Sequence, residues 1–332
     1  MKIVHGGDVW QAGAPEEYLD FSANLNPEGP PEWVRAAMAE GLARARFYPD
    51  VRSAAALAGM SRHLKIPEAC LLLTNGGIEA AALAARLSGR HVIAQPTFQE
   101  YGHLCGTFES VERDALLQRE IGAGECLWVC NPNNPTGHTF SRAELAALLR
   151  RVEAAGGRLI VDEAFIDYCP ERSVVDWAES HPALIVLGSL TKVLAIPGVR
   201  LGYLAAHPAV IEAIGGDLHP WRLNCVAEAV AAALPEHEND FARIRALNAG
   251  RREAFARALR EIGAKTYPSE ANFLLCDFGR DMRPAIEALR AKKILVRPCG
   301  MFLGLTHAHV RLCVRSEDEN AILVQALREV LT

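Results

Sequence analysis

"CLWVCNPNNPTGHTFSRAELAALLRRVEAAGGRLIVDEAF", residues 126–165, contains in order the patterns of a strand, a turn, a helix and a second strand. The stretches 126–130 and 158–165 contain short apolar runs that are typical of buried strands. Between them, Ser141 and Glu144 have the spacing of a capping box, which predicts that a helix begins there. Two strands joined by a helix are usually parallel neighbours. This stretch therefore predicts a βαβ unit.

The same alternation recurs on both sides of this unit. Further strand candidates lie at 69–74, 91–96 and 183–192, and the first is followed by "NGG" and an alanine-rich helical pattern. Repeated βα units are typical of a parallel sheet that is covered by helices. We therefore expect an α/β fold with a mostly parallel central sheet and helices on both faces.

The last third of the chain has a different pattern, and it predicts a smaller α+β lobe. The charged stretch 235–250 indicates a long helix that leads away from the sheet. The elements expected after it are at 271–278, 282–292, 293–299 and 309–316, with a final helix from about 317. Because 332 residues exceed what one core usually holds, we divide the chain into an N-terminal arm (1–30), a large domain (31–235) and a small C-terminal domain (236–332).

Composition excludes several classes of function. The net charge of −5 and the pI of about 6.1 provide no electrostatic footprint for nucleic acid. The chain has no apolar run long enough for a membrane span and no secretory pattern at its start, so we expect a cytoplasmic protein. The nine cysteines include no C-x-x-C pair, and the histidines lack metal-ligand spacing, which predicts reduced cysteines and no metal site.

Several candidate functional residues follow predicted strands, where open parallel sheets bind their ligands. Gly76 and Gly77 open a helix after one strand, and bare N–H groups at a helix start suit a phosphate. Asn134 lies in the turn "NPNNPTG" after another strand. The alternative for both features is an ordinary turn without a ligand.

Charged residues occupy two further strand ends. Asp162 ends an apolar strand, where an ionised carboxylate is costly unless it is paired, although it could instead cap a helix. Lys192 lies in the largely apolar strip 188–204, which ends near Arg200. Burial would lower the pKa of Lys192 and leave an amine able to attack a carbonyl, whereas the alternative is a surface lysine on a loop.

Taken together, these residue types match the needs of pyridoxal 5'-phosphate. A lysine amine can hold the cofactor's aldehyde as a Schiff base, and an aspartate can keep the pyridine nitrogen protonated. Glycine N–H groups, a hydroxyl such as that of Ser189 and a guanidinium such as that of Arg200 can hold the phosphate. The sequence thus predicts this cofactor.

Four motifs, in this order, resemble the class I/II aminotransferase superfamily of pyridoxal-phosphate enzymes, which has fold type I: "NPNNPTG" (131–137), "DEAF" (162–165), "SLTK" (189–192) and "RLGYL" (200–204). The resemblance implies that Lys192 binds the cofactor's aldehyde, Asp162 faces its ring nitrogen and Asn134 bonds its ring hydroxyl. It also implies phosphate contacts from Gly76, Gly77, Ile78, Ser189 and Arg200.

The resemblance extends to two aromatic residues and shows two departures. Phe98 is implied to stack on the cofactor ring, and Tyr48 is implied to reach the phosphate of a neighbouring subunit in a homodimer with shared active sites. Phe165 stands where the superfamily often has tyrosine, so one hydrogen bond to the ring hydroxyl is absent. Ile78 stands where a hydroxyl side chain often binds phosphate, which leaves only its N–H.

The N-terminal segment is similar to one branch of this superfamily. "HGGDV" (5–9) and "LDFSANLNPEGPP" (19–31) resemble the branch that decarboxylates L-threonine O-3-phosphate to (R)-1-amino-2-propanol O-2-phosphate in cobalamin biosynthesis. The resemblance implies these substrate contacts: His5, Gly6, Asn24, Asn134, Arg297 and Arg311. Taken alone, His5 would be a solvated histidine and Asn24 a turn residue.

Two other functions stay open from the sequence. One is an aminotransferase for histidinol phosphate or a similar phosphorylated amine, which would use the same cofactor residues. The other is a non-catalytic ligand-sensing module on the same fold. The "HGG" element favours the decarboxylase over the aminotransferase, and retention of Lys192 and Asp162 argues against the module.

Overall fold

The computed structural model describes residues 6–7, 9–10, 13–87, 89–216 and 218–331. Its strands are β1 Leu19–Asp20, β2 Leu71–Asn75, β3 Arg90–Gln95, β4 Phe108–Glu112, β5 Glu125–Cys130, β6 Arg158–Asp162, β7 Leu184–Ser189, β8 Leu201–Ala206, β9 Lys265–Thr266, β10 Phe273–Asp277, β11 Ile294–Leu295, β12 Arg297–Pro298 and β13 His309–Cys313. Its α-helices are α1 Glu32–Ala43, α2 Ala54–Leu64, α3 Gly77–Ala84, α4 Glu100–Cys105, α5 Arg113–Gln118, α6 Arg142–Ala154, α7 Pro208–Gly215, α8 Cys225–Ala233, α9 Glu238–Glu261, α10 Arg283–Ala291 and α11 Glu317–Leu331.

The largest sheet has seven strands in the order β2-β8-β7-β6-β5-β3-β4. Its pairings are parallel except at β8, which runs antiparallel to both of its neighbours. The prediction of a mostly parallel α/β sheet is therefore confirmed. The strip 188–204, quoted for its lysine and arginine, contributes the end of β7, a turn and most of the antiparallel β8.

Alternation of side chains along the strands places one apolar core on each face of this sheet. On β6, Leu159 and Val161 face one core, whereas Ile160 faces the other. Helices α1, α2, α6 and α8 pack on the first face, and α3, α4 and α7 pack on the second. Helices cover both faces, as predicted, because each strand is apolar on both of its sides.

The C-terminal part has its own antiparallel sheet, in the order β12-β13-β10-β9. Residues of α9, α10 and α11 form a separate core against it. The long helix expected from the charged stretch is α9, which has 24 residues. The boundaries at 30/31 and 235/236 stay a prediction.

The segment 293–299 forms two short strands rather than one. β11 pairs in parallel with β1, whereas β12 pairs with β13. The two pairings lie in different sheets, so the ladder is interrupted at Val296. Pairing with β1 joins the predicted N-terminal arm to the C-terminal core, where Phe21 is fully buried.

Local features of the βαβ unit agree with the sequence. Ser141 Oγ accepts the N–H of Glu144 at 3.2 Å, and Glu144 Oε2 accepts the N–H of Ser141 at 2.7 Å, which completes the capping box. No disulfide joins any of the nine cysteines, all of which lie in the described residues. In the part of the chain that the structure describes, no cluster of His, Cys, Asp or Glu could hold a metal, and no helix has the length and apolarity to cross a membrane.

We expect Ser141→Ala to lower the free energy of unfolding by about 1 kcal/mol, because the N–H of Glu144 at the start of α6 loses its side-chain acceptor. Ser180→Ala is the matched control, since Ser180 is exposed in a turn. Urea titration of both variants checks this expectation. Equal midpoints for the two variants would contradict it.

Candidate active site

The carboxyl ends of the parallel strands bring most of the predicted site residues to one edge of the sheet. β6 ends at Asp162, which pairs in register with Cys130 at the end of β5. β7 ends at Ser189, which pairs with Gly202 of β8. Lys192 follows in the turn after β7, and its carbonyl accepts the N–H of Asn26 at 3.1 Å.

Asp162 is buried, with 7% of its surface exposed. Its Oδ2 accepts the hydroxyl of Tyr101 at 2.5 Å, and its Oδ1 accepts the N–H of Ala164 at 2.8 Å. Burial raises the pKa of Asp162 above its usual range, while the Tyr101 hydrogen bond and the charge of Lys192 oppose that rise. No ion pair to Asp162 occurs among the described residues. The carboxylate closes a turn to Ala164 and does not cap a helix, so that alternative is wrong.

Lys192 is partly buried rather than on an open surface loop. Burial, helped by the charges of Arg200 and Arg311 and opposed by that of Asp162, lowers the pKa of Lys192 to about 8. A lysine with this pKa has far more free amine near neutral pH than an exposed lysine has. It therefore has the character of a nucleophilic amine.

Gly76, Gly77, Ser189 and Arg200 lie together at the start of α3. Gly76 has φ +74°, and a Cβ on it would lie 2.5 Å from Nη2 of Arg200. A Cβ on Gly77 would lie 3.3 Å from Cβ of Ser189. Arg200 is held by bonds from Nη2 to the carbonyl of Asn75 at 3.2 Å and from Nη1 to the carbonyl of Pro197. The result is a narrow cradle of N–H groups, a hydroxyl and a guanidinium, which suits a phosphate.

The two other residues expected near the phosphate are exposed. The Ile78 side chain is 38% exposed in the first turn of α3. Tyr48 is 84% exposed and contacts Trp221, with 5.0 Å between ring centroids. Within this chain Tyr48 thus lies on the surface, and its role in a neighbouring subunit stays a prediction.

The turn 131–137 is fixed by two asparagines, and a third faces the site. Asn131 Oδ1 accepts the N–H of Phe140, and Asn133 Nδ2 donates to the carbonyl of Pro96 at 2.8 Å. Asn134 is buried, and its Oδ1 accepts Nη1 of Arg311 at 2.5 Å. The bond between Asn134 and Arg311 therefore joins this turn of the large sheet to the C-terminal sheet.

Arg297 and Arg311 are direct partners across β12 and β13, with only 4% and 6% of their surfaces exposed. Arg311 also donates Nη2 to the carbonyl of Ser22, while Nη1 of Arg297 is buried without a hydrogen-bond partner. Burial lowers the pKa of Arg311 to about 10, and the neighbouring charge of Arg297 acts in the same direction. Neither arginine has a carboxylate partner among the residues that the structure describes. Two buried and unpaired cations are costly, so they indicate an anionic ligand.

The N-terminal residues reach the same region. A Cβ on Gly6 would lie 2.1 Å from the carbonyl oxygen of Ser22, so only glycine fits there. Gly7 donates its N–H to Oγ of Ser22 at 2.8 Å, and Asn24 is buried with Oδ1 unpartnered. His5 lies outside the described residues. Gly6 thus packs against Ser22, whose carbonyl is bonded to Arg311, and Asn24 follows Ser22 by two residues.

The aromatic residues of the site include one that the sequence motifs did not indicate. Phe98 packs edge-on against Tyr101, with 5.5 Å between centroids and an angle of 82°. Tyr101 is buried and bonded to Asp162. Its position three residues after Phe98, in a helical turn, is the signal that could have identified it. Phe165 packs against Phe273 at 5.0 Å.

The donor set fits pyridoxal 5'-phosphate. Its aldehyde requires an amine, and Lys192 has a lowered pKa. Its ring nitrogen requires an anion, and Asp162 is a buried carboxylate without an ion-pair partner in the described part of the chain. Its phosphate requires donors in a space that a Cβ would fill, and the glycine cradle beside Arg200 provides them.

The chain is similar to known proteins over nearly its whole length. The chain is 34% identical to the threonine-phosphate decarboxylase of Salmonella typhimurium strain LT2, over 99% of this chain and 97% of that protein. It is 30% identical to the histidinol-phosphate aminotransferase of Geobacillus thermodenitrificans, over 98% of this chain and 93% of that protein. Among solved structures, the histidinol-phosphate aminotransferase from Clostridium acetobutylicum has a TM-score of 0.85 at 26% identity, covering 94% of this chain and 98% of that chain.

A family model also matches most of the chain. Residues 16–327 match the model described as aminotransferase class I and II. The expected resemblance, the fold type I architecture and the expected cofactor are therefore confirmed. The chain belongs to the aminotransferase class I and II family and is an enzyme of this pyridoxal-phosphate-dependent family.

Proposed function

We propose that the protein decarboxylates L-threonine O-3-phosphate to (R)-1-amino-2-propanol O-2-phosphate and carbon dioxide. The observation that carries this proposal is the pair of buried, unpaired arginines, Arg297 and Arg311, next to the Gly6–Gly7 segment. A phosphorylated amino acid has two anionic groups on one small molecule, and the two guanidiniums match them. The sequence similarity to a threonine-phosphate decarboxylase at 34% identity supports the same assignment.

The charges suggest how the two arginines divide the substrate. Arg311 donates to Asn134, and its charge lowers the pKa of Lys192, so we place it nearer to the reacting centre than Arg297. We assign the carboxylate, which is attached to Cα, to Arg311 and Asn134. We assign the phosphate to Arg297 and the N-terminal segment with His5, Gly6 and Asn24. Holding both ends of the substrate would determine which bond at Cα is broken.

The chemistry divides between the cofactor and the chain. When bound, pyridoxal phosphate withdraws electrons from Cα of an amino acid. Asp162 would hold positive charge at the ring nitrogen, while Gly76, Gly77, Ile78, Ser189 and Arg200 would hold the phosphate. Lys192, or a water beside it, returns one proton to Cα after carbon dioxide leaves, so the product gains the hydrogen that balances the lost carboxylate.

We also propose a homodimer with shared active sites. Tyr48, its neighbour Phe47 and Trp221 form an exposed aromatic group on one surface of the chain. Large exposed aromatic residues that lie together are typical of an interface. In a second copy, Tyr48 would reach the phosphate cradle of its neighbour, and Phe98 would stack on the ring within its own chain.

An aminotransferase is the second candidate, because several relatives carry that name and one of them is 30% identical. An aminotransferase that uses glutamate as amino donor also binds a substrate with two anionic groups. The two arginines alone therefore do not exclude it. The two reactions differ in their products, which provides the test.

The purified, cofactor-loaded protein is expected to convert L-threonine O-3-phosphate to the aminopropanol phosphate catalytically, without any keto acid, as followed by NMR. Decarboxylation needs no amino-group acceptor, whereas transamination does. Lys192→Ala is the control for background reaction. No amine product, together with glutamate formation from histidinol phosphate and 2-oxoglutarate, would contradict the proposal and identify an aminotransferase.

Arg297→Ala is expected to lower kcat/KM for L-threonine O-3-phosphate by roughly 10- to 100-fold, because a charged hydrogen bond to the phosphate is lost. Arg297→Lys keeps the charge and is expected to retain more of the activity than the alanine variant does. Steady-state kinetics with product analysis measures both. An unchanged rate and an unchanged product distribution in Arg297→Ala would reject the proposed role in orienting Cα.

The rate at which the apoprotein binds pyridoxal phosphate covalently is expected to rise with pH through a midpoint near 8. Below that pH the Lys192 ammonium predominates, and above it the free amine does, since the pKa is lowered to about 8. The free fraction then increases about tenfold between pH 7 and pH 9. Stopped-flow absorbance measures the rate, and Lys192→Ala should show no band. A rate that keeps rising beyond about pH 10 would contradict the lowered pKa.

A further inference from the structure

Tyr101 lies on α4 and makes the hydrogen bond of 2.5 Å to Oδ2 of Asp162. It is 1% exposed and packs between Phe98, at 5.5 Å, and Trp128, at 5.3 Å between centroids. None of the sequence motifs assigns it a role. Tyr101 thus contacts both Phe98, which is expected to stack on the cofactor ring, and Asp162, which is expected to face the ring nitrogen.

The hydrogen bonds of Asp162 show why this contact matters. An ionised carboxylate can accept about four hydrogen bonds. Among the described residues, Asp162 accepts one from the N–H of Ala164 and one from the hydroxyl of Tyr101. Of these two donors, Tyr101 is the one that donates from a side chain, and it fixes the direction of the Asp162 carboxylate. The remaining acceptor positions of the carboxylate are left for another donor.

The other groups that face Asp162 do not replace this bond. Cys130 on β5 and Tyr203 on β8 are buried, and burial raises the pKa of both well above their usual values, so they stay neutral. Lys192 in the turn after β7 acts on Asp162 through its charge. That charge is lost when the amine of Lys192 is bound to an aldehyde and unprotonated. The hydrogen bond from Tyr101 does not depend on that charge.

We propose that Tyr101 is a positioning residue that holds the Asp162 carboxylate ionised and aimed at the cofactor's ring nitrogen. The proposal rests on the proposed role of Asp162 and on the cofactor of the family, but not on the choice between decarboxylation and transamination. A purely structural role would reside in the ring of Tyr101, which fills space beside Trp128. The hydroxyl therefore distinguishes the two explanations, and Tyr101→Phe removes only the hydroxyl.

The test uses the cofactor-loaded protein and its visible absorption between pH 5 and pH 10, without substrate. In Tyr101→Phe, the midpoint of the absorption change is expected to rise by about one pH unit, the size expected for one hydrogen bond to a charged group. Without this hydrogen bond, the ionised form of Asp162 is less stable and stabilises less positive charge at the ring nitrogen. The proton at the Lys192 linkage is then lost at higher pH. Tyr168→Phe is the matched control, because Tyr168 is also buried but is not bonded to Asp162.

Asp162→Asn separates this proposal from the role of Asp162 itself. If Asp162→Asn leaves the midpoint unchanged, the proposed role of Asp162 fails, and the proposal for Tyr101 fails with it. If Asp162→Asn raises the midpoint but Tyr101→Phe behaves like Tyr168→Phe, only the proposal for Tyr101 is overturned. Support requires that Tyr101→Phe raises the midpoint and adds no further shift in the Asp162→Asn background.

Replacement of Tyr101 by 3-fluorotyrosine covers the case in which Tyr101→Phe does not fold. Fluorine makes the phenol a stronger hydrogen-bond donor with little change in shape, so the midpoint is expected to fall. An unchanged midpoint would overturn the proposal. Kinetics supply a second readout: kcat should decrease with KM nearly constant in Tyr101→Phe, because Tyr101 acts through Asp162 and does not contact the substrate.

Discussion

Unpaired buried charge is the constraint on which this site depends. Asp162 is buried with hydrogen bonds only from neutral donors in the described chain, and Arg297 and Arg311 are buried without a carboxylate partner. Isolated charges of this kind destabilise a folded chain. A cationic ring nitrogen and an anionic substrate would each remove one of these costs on binding. Binding of the cofactor and the substrate would therefore recover free energy that the folded chain loses by burying these charges.

Contacts between distant segments keep these charges in place. The Asp20–Asn26 segment connects three parts of the site, because Ser22 accepts from Arg311 and Gly7, while Asn26 donates to the carbonyl of Lys192. Gln99, beside Phe98, donates to the carbonyl of Met301 at 2.7 Å and joins the large sheet to the loop after Arg297. The substrate region thus forms where the N-terminal segment, the large sheet and the C-terminal sheet meet.

The cofactor residues are common to both candidate reactions, so the fold and family do not choose between them. What differs is the control of rotation at Cα, which depends on how the far end of the substrate is held. In this chain, Arg297 and the Gly6–Gly7 segment, which packs against Ser22, would control that rotation. Both lie outside the phosphate cradle at the start of α3.

The sequence by itself determined the α/β class, the βαβ unit with its capping box, and the strand-end residues Asp162, Ser189 and Lys192. These features are local, because periodicity, caps and turn motifs extend over a few residues. The tertiary structure alone decided which side chains meet. Tyr101 and Asp162 are 61 residues apart, Asn134 and Arg311 are 177 apart, and Ser22 and Arg311 are 289 apart. The split of 293–299 between two sheets was also decided by the tertiary structure. Strand pairing depends on the neighbouring strands that the fold brings alongside, which the local sequence does not specify.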